Sequence, residues 1–299
     1  MSEEYKIRDS DEVTVTLMND IYEVQYLQRN NTKASIKKLS ADEYIVLETG
    51  EIKVFDKFEN RSDSENSIRK TLKKLRYLIN ASFMGGDNEL FVTFTYKDVV
   101  RDTKQVYKDW RNFLKRFKRK WNDVEYLAVL EPQGETHGYC WHIHALMKFV
   151  NHDYIEIDNN REMYPLWGHG FTKTERLKEV DNIGAYLSAY LSNIEVEQTE
   201  EKENDKEKSK RYKKGERLKY YPKGMNIYRK SKGIEMPKRL TMSYREAKEL
   251  IGEDLKPVIR KTFPIKTDEF ENLIIFEEYN TRRNNSRKGG ELDDNTNGE

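Results

Sequence analysis

The 299-residue sequence predicts an α+β fold, a central antiparallel β-sheet with flanking helices. Two observations carry this expectation. Strand-like runs at residues 124–131 and 141–150 are separated by a short turn segment at 132–138, which suits a hairpin and is too short for a parallel crossover. Stretches of helical periodicity lie on either side of that hairpin, so strands and helices alternate along the chain.

Residues 12–17, 43–47 and 51–55 alternate modestly and predict short strands in an N-terminal extension, residues 1–85. Residues 64–82 predict a helix, because Ile68, Leu72, Leu75 and Ile79 recur at helical spacing among basic residues. After the turn Gly85-Gly86-Asp87-Asn88 comes LFVTFTY, residues 90–96. Its brevity and its aromatic and β-branched content mark a strand with Phe91, Thr93 and Thr95 on one face. Asp102 can cap a helix running to about Trp121, whose Val106, Trp110, Phe113, Leu114 and Phe117 form one apolar stripe opposite a basic face. The hairpin follows, and residues 167–177 read as a turn and a fourth strand. Asp181 can cap a helix from Asn182 to about Ile194, closing a core at residues 86–194. Residues 195–219, nearly all Glu, Lys and Asp, are expected to be a charged flexible loop or frayed helix. Residues 220–283 form a basic segment with a short helix at 244–251, a candidate DNA-binding region, and residues 284–299 are expected to be a disordered tail.

Hydrophobic and charged residues each make up 36% of the chain, which describes a very polar globular protein. The net charge of +1 hides segregation. Residues 101–120 carry nine Lys/Arg against Asp102 and Asp109, and residues 206–240 carry fourteen against Glu207, Glu216 and Glu235, the footprint of a polyanion partner. A single Cys140 excludes an intramolecular disulfide framework. No apolar run approaches the ~20 residues that span a bilayer, and Met-Ser-Glu-Glu-Tyr is not a signal peptide, so a soluble cytoplasmic protein with no membrane partner is expected.

Within the third core strand, Trp141-His142-Ile143-His144-Ala145 places two of the five histidines on one face. Two imidazoles plus a third ligand, with positions left open for a substrate oxygen, suit a catalytic divalent metal. Glu131 ends the strand expected to pair with the histidine strand and is the first candidate for that ligand. Gln133 and Glu135 are the alternatives while the hairpin register is open. A carboxylate with two imidazoles suits Mg²⁺ or Mn²⁺. On the helix after Asp181, Tyr186 and Tyr190 stand at i and i+4, so their hydroxyls leave one face about a turn apart.

The strand FVTFTY at 91–96, the His142-Ile143-His144 strand and a helix bearing Tyr186 and Tyr190, in that order, resemble the two-tyrosine rolling-circle replication initiators of the HUH endonuclease superfamily. Such proteins occur in small single-stranded DNA phages and related plasmids, and the resemblance covers about residues 88–194. It implies a ferredoxin/RRM-like endonuclease core, a metal held by His142, His144 and a third ligand such as Glu131, and a tyrosine that nicks one DNA strand. A 5′-phosphotyrosine and a free 3′-hydroxyl primer would result. Family members commonly have a lysine three residues after a catalytic tyrosine, where this chain has Ala189 and Asn193. Lys173, on the preceding strand, is the candidate to stabilise a phenolate in its place.

The partner expected is single-stranded DNA at a replication origin. Phosphate contacts are expected from Lys108, Arg111, Lys115, Arg116, Arg119 and Lys173, with Tyr228, Arg229 and Lys230 contributing and Tyr220, Tyr221 and Tyr228 stacking bases. No G-x-x-x-x-G-K-[ST] motor motif is present, so a host helicase and a polymerase are expected as further partners. An HUH-type transposase or relaxase would use the same core. A non-catalytic DNA-binding regulator on this fold would form no covalent adduct.

Overall fold

The computed structural model describes residues 5–29, 35–40, 42–47, 49–55, 65–134, 138–177, 182–184, 187, 193–197, 210–214, 220–222, 225–266 and 271–283. In chain order the strands are β1 (Glu12–Met18), β2 (Ile21–Leu27), β3 (Ile36–Lys38), β4 (Glu43–Val46), β5 (Ile52–Val54), β6 (Glu89–Phe94), β7 (Val124–Pro132), β8 (Trp141–Phe149), β9 (Thr172–Glu175), β10 (Asn193–Glu197), β11 (Lys210–Lys214), β12 (Tyr228–Lys230), β13 (Lys238–Ser243), β14 (Ile259–Lys266) and β15 (Glu271–Asn280). The helices are α1 (Glu65–Ser82), α2 (Thr103–Phe117), α3 (Tyr164–Trp167) and α4 (Tyr244–Ile251). The α+β class with antiparallel sheets is the one the sequence predicts.

The chain divides into two compact units, Met1–Phe58 with Pro237–Glu299, and Glu59–Met236. The second unit holds an antiparallel sheet of order β12-β7-β8-β6-β9. Helix α2 covers one face. Asp102 caps it by accepting the Lys104 N–H at 2.9 Å. Its stripe of Trp110, Phe113 and Phe117 meets Phe94 of β6 and Phe149 of β8, with Phe94 and Phe113 edge to face at 4.7 Å. Trp167 of α3 joins them, 5.2 Å from Phe94. Because residues alternate along β8, this face carries Ile143 and Phe149, and the other carries His142, His144 and Lys148. Helix α1 ends on the histidine side, where the Lys148 ammonium donates to the Ser82 carbonyl at 3.1 Å.

The turn from α1 into β6 is fixed by one carboxylate. Glu89, 1% exposed, accepts the backbone N–H groups of Met84 and Gly85 at 2.9 and 2.7 Å and pairs with Lys148 at 3.3 Å. Gly85 has φ +76°, and a Cβ there would stand 2.6 Å from the Leu177 carbonyl oxygen, so the turn needs glycine for both conformation and space.

The first unit corrects the reading of residues 1–85 as an N-terminal extension. Strands β1 and β2 lie in the middle of a sheet of order β13-β1-β2-β15-β14, whose other strands come from the C-terminal part of the chain. Strand β2 escaped the sequence reading because Glu23 and Gln25 interrupt its apolar run, and its partner β15 lies about 250 residues away. Val13, Val15, Val24 and Ile275 pack with Ala247 and Ile251 of α4. Helix α4 matches the expected 244–251 and begins with a full capping box between Ser243 and Glu246. The segment at 220–283 is therefore not one module, since its β12 belongs to the second unit and β13 to β15 to the first. A smaller sheet, β3-β4-β5, completes the described strands of the first unit.

The expected loop at 195–219 is corrected in part. Residues 193–197 and 210–214 pair as an antiparallel hairpin, with Glu195 opposite Tyr212 and Glu197 opposite Lys210. Alternation within Asn-Ile-Glu-Val-Glu, and opposite charge across Glu197 and Lys210, support strand pairing that bulk composition obscures. The same strand ends the preceding helix before residue 193, short of the expected Ile194. The tail at 284–299 lies outside the described residues.

Candidate metal centre

The hairpin register settles which acidic residue faces the histidines. Glu131 of β7 stands directly across from His142 of β8, and Val129 across from His144. One ligand atom from each of Glu131, His142 and His144 can be chosen so that all lie within 4.8 Å of one another. Among the described residues this is the one His/Cys/Asp/Glu group with such geometry. Glu131 is fully buried, His144 is 3% exposed, and His142 is half-buried, so the cluster opens to solvent on one side.

His144 is held on three sides. Its Nε2 is in hydrogen-bonding contact with Glu131 Oε2, its Nδ1 lies 3.1 Å from Thr93 Oγ1, and its ring stacks on Phe91 at 5.8 Å. Burial pushes its pKa down to about 4, which favours the neutral imidazole at neutral pH. In the tautomer with the proton on Nδ1, Thr93 Oγ1 accepts it and the Nε2 lone pair points at the carboxylate. A lone pair and a carboxylate oxygen that close must share a proton or a cation. The donor set, one carboxylate and two imidazoles, therefore fits a divalent metal. The Gln133 amide nitrogen lies 3.1 Å from His142 Nδ1 and 3.4 Å from Glu131 Oε2, so it sits beside the same cluster as an orienting neighbour. Glu135 lies outside the described residues.

Thr93 was legible as a residue on the strand face with Phe91, but its bond to His144 depends on the β6–β8 register, which sets the two directly opposite. Thr93→Val is expected to weaken Mn²⁺ affinity about tenfold with the fold retained, since ligand-orienting partners typically contribute that much. Calorimetric titration of wild type and variant checks this, and equal affinities would show that Thr93 does not orient the ring.

The expected nucleic-acid contacts separate by face. Lys108, Arg111, Lys115 and Arg119 are exposed on α2, across the sheet from the histidines. Arg116 is not the free phosphate contact expected, because its guanidinium donates to the Leu166 and Trp167 carbonyls and closes the C-terminal end of α3. Lys173 of β9 stands opposite Thr93, on the histidine side by register, and pairs with Glu175 at 2.8 Å. Tyr228 is half-buried on β12, Arg229 lies over the Tyr107 ring at 4.2 Å, and Lys230 donates to the Ile234 carbonyl at 2.6 Å. The stacking expected of Tyr221 is overturned. It is 1% exposed, packs on Trp141 and donates to the Leu130 carbonyl, so its ring is part of the core. Tyr220 packs against Tyr139 at 5.3 Å. Tyr186 and Tyr190 lie outside the described residues, although Ile183, Gly184 and Leu187 around them are described.

Among the described residues no helix is long and apolar enough to cross a membrane. Residues 89–195 match the family model for the replication-associated protein ORF2. The match covers about a third of the chain, from the start of β6 through the metal cluster and the tyrosine-bearing segment. Searches of curated proteins and of solved structures return no significant match.

Proposed function

We propose that this protein initiates rolling-circle DNA replication by nicking and rejoining single-stranded origin DNA through a tyrosine. Support comes above all from the Glu131–His142–His144 cluster, found inside the segment similar to replication-associated proteins. A Mg²⁺ or Mn²⁺ ion held by these three residues would orient a scissile phosphate and offset the charge that develops on it. The phenol oxygen of Tyr186 or Tyr190 attacks phosphorus and the bond to the 3′-oxygen breaks. The phenolic proton leaves to a base or water, and the 3′-oxygen is released as a hydroxyl after taking up a proton. The 5′-phosphotyrosine keeps the phosphodiester energy, so reversal by a 3′-hydroxyl rejoins ends without ATP. Two tyrosines a turn apart allow cleavage at initiation and again at termination. The free 3′-hydroxyl primes a host polymerase, and a host helicase opens the duplex.

Single-strand specificity follows from access, because the phosphate must reach a cluster whose Glu131 and His144 are buried. The exposed cations of α2 face away from that cluster and would hold flanking DNA. Reversing Lys108, Arg111, Lys115 and Arg119 to Glu is expected to leave the salt dependence for a short scissile oligonucleotide unchanged. For DNA long enough to wrap the domain it should reduce the slope by about 0.7–0.9 for each phosphate no longer neutralised. A reduced slope for the short strand would place the scissile strand on the wrong face.

The reading is tested by incubating the protein with single-stranded oligonucleotides tiling candidate origins, with Mn²⁺ or with chelator. A denaturation-resistant protein–DNA species is expected only with metal. If the chelator leaves its yield unchanged, the metal-assisted mechanism is wrong, and if no strand gives it, the non-catalytic regulator is favoured.

A further inference from the structure

The start of the tyrosine-bearing segment is held by a buried asparagine from α1. Asn80 is 3% exposed, its Oδ1 accepts the Gly184 N–H at 2.8 Å, and its Nδ2 donates to Asn182 Oδ1 at 3.1 Å. The chain becomes helical at Ile183, so the Gly184 N–H is one of the first-turn donors that lack a carbonyl within their own helix. Such a donor is ordinarily capped by a neighbour in sequence. Here the acceptor comes from 104 residues earlier. Gly184 also lets the two backbones meet, because a Cβ there would stand 2.5 Å from Asn80 Oδ1 and 2.8 Å from the Arg76 carbonyl oxygen. Ile183 and Leu187, at i and i+4, are each 3% exposed and set the buried side of the segment.

These contacts connect to the metal cluster through the framework. Strand β8 carries His142 and His144 and, on the same face, Lys148, whose ammonium holds the α1 carbonyl of Ser82 two residues beyond Asn80. Tyr186 follows Gly184 by two residues and Tyr190 by six. We infer that Asn80 is a positioning residue for the nucleophile: it fixes the height and rotation of the segment on α1, and so the distance between the tyrosines and the Glu131–His142–His144 cluster. The inference rests on the proposed role of Tyr186 and Tyr190. Asn80 touches neither substrate nor metal, so its effect belongs in the rate of attack and not in either affinity.

Asn80→Leu keeps the volume and removes both hydrogen bonds. It is expected to slow covalent adduct formation about 100-fold, the scale of a displacement of about 1 Å at a reacting centre. KM for the oligonucleotide and Mn²⁺ affinity should stay within about twofold, because the residues that set them are untouched. Amide exchange in residues 182–187 should accelerate. Asn80→Asp is the rescue, since its carboxylate still accepts the Gly184 N–H and Asn182 can turn its amide to donate to the second oxygen. Most of the rate and the exchange protection should return. Asn80→Leu acting at the wild-type rate would overturn the inference. So would loss of metal affinity together with rate, unrelieved in Asn80→Asp, which would mark a general structural role. If the wild type forms no adduct while Asn80→Leu still loosens residues 182–187, Asn80 does dock the segment but the nicking function fails, and the positioning role fails with it.

Discussion

His144→Ala is expected to abolish saturable Mn²⁺ binding and to destabilise the metal-free protein by about 3 kcal/mol, the cost of leaving a buried charged partner without its companion. Both effects have one origin. His144 and Glu131 are buried and in contact, and Thr93 and Phe91 fix the imidazole, so removing it takes away a ligand and the nearest neighbour of a fully buried carboxylate. His142→Ala separates the two effects, because His142 is half-buried and bonds to Gln133 at the open side. It should lose metal affinity and adduct formation with a stability change below about 1 kcal/mol. Calorimetry gives the affinity and urea unfolding the stability. Wild-type Mn²⁺ binding by His144→Ala would mean that the cluster is a hydrogen-bonded core element and not a metal centre.

The double variant Tyr186→Phe/Tyr190→Phe is expected to lose at least about 10³-fold in covalent adduct formation, since no remaining side chain on that face can form the phosphodiester. Oligonucleotide affinity and Mn²⁺ binding should persist, because the hydroxyls contribute to neither until attack begins. The single variants sort the order of events. A tyrosine that attacks first loses the initial adduct when replaced, while one that acts at termination leaves the first adduct intact and blocks its resolution. Adduct formation by the double variant at the wild-type rate would remove both residues from the mechanism.

The core was legible because its signals are local. The β7–β8 hairpin needs only a short turn between two apolar runs, α2 needs only its stripe and Asp102, and the histidine pair needs only a period of two. The register that selects Glu131 over Gln133 was not legible, since a shift of one residue turns every side chain to the other face. Nor were the pairings of β1 and β2 with β13 and β15, which join opposite ends of the chain and carry no mark in either segment alone. Basic residues were the least legible of all. Composition identifies Arg116, Arg229 and Lys230 as cations, and only the fold shows them engaged by the Leu166 carbonyl, the Tyr107 ring and the Ile234 carbonyl. Asn80 carried no sequence signal, because an asparagine inside a basic helix looks like surface until the packed partner is known.

Whether the segment similar to replication-associated proteins is a metal-assisted tyrosine nickase can be decided by mass spectrometry of the covalent species after protease and nuclease digestion. A peptide from residues around 183–193 is expected to carry a 5′-linked nucleotide on Tyr186 or Tyr190, formed with Mn²⁺ and absent in His142→Ala. A nucleotide linked to any other residue, or attached through its 3′ end, would refute the proposed chemistry.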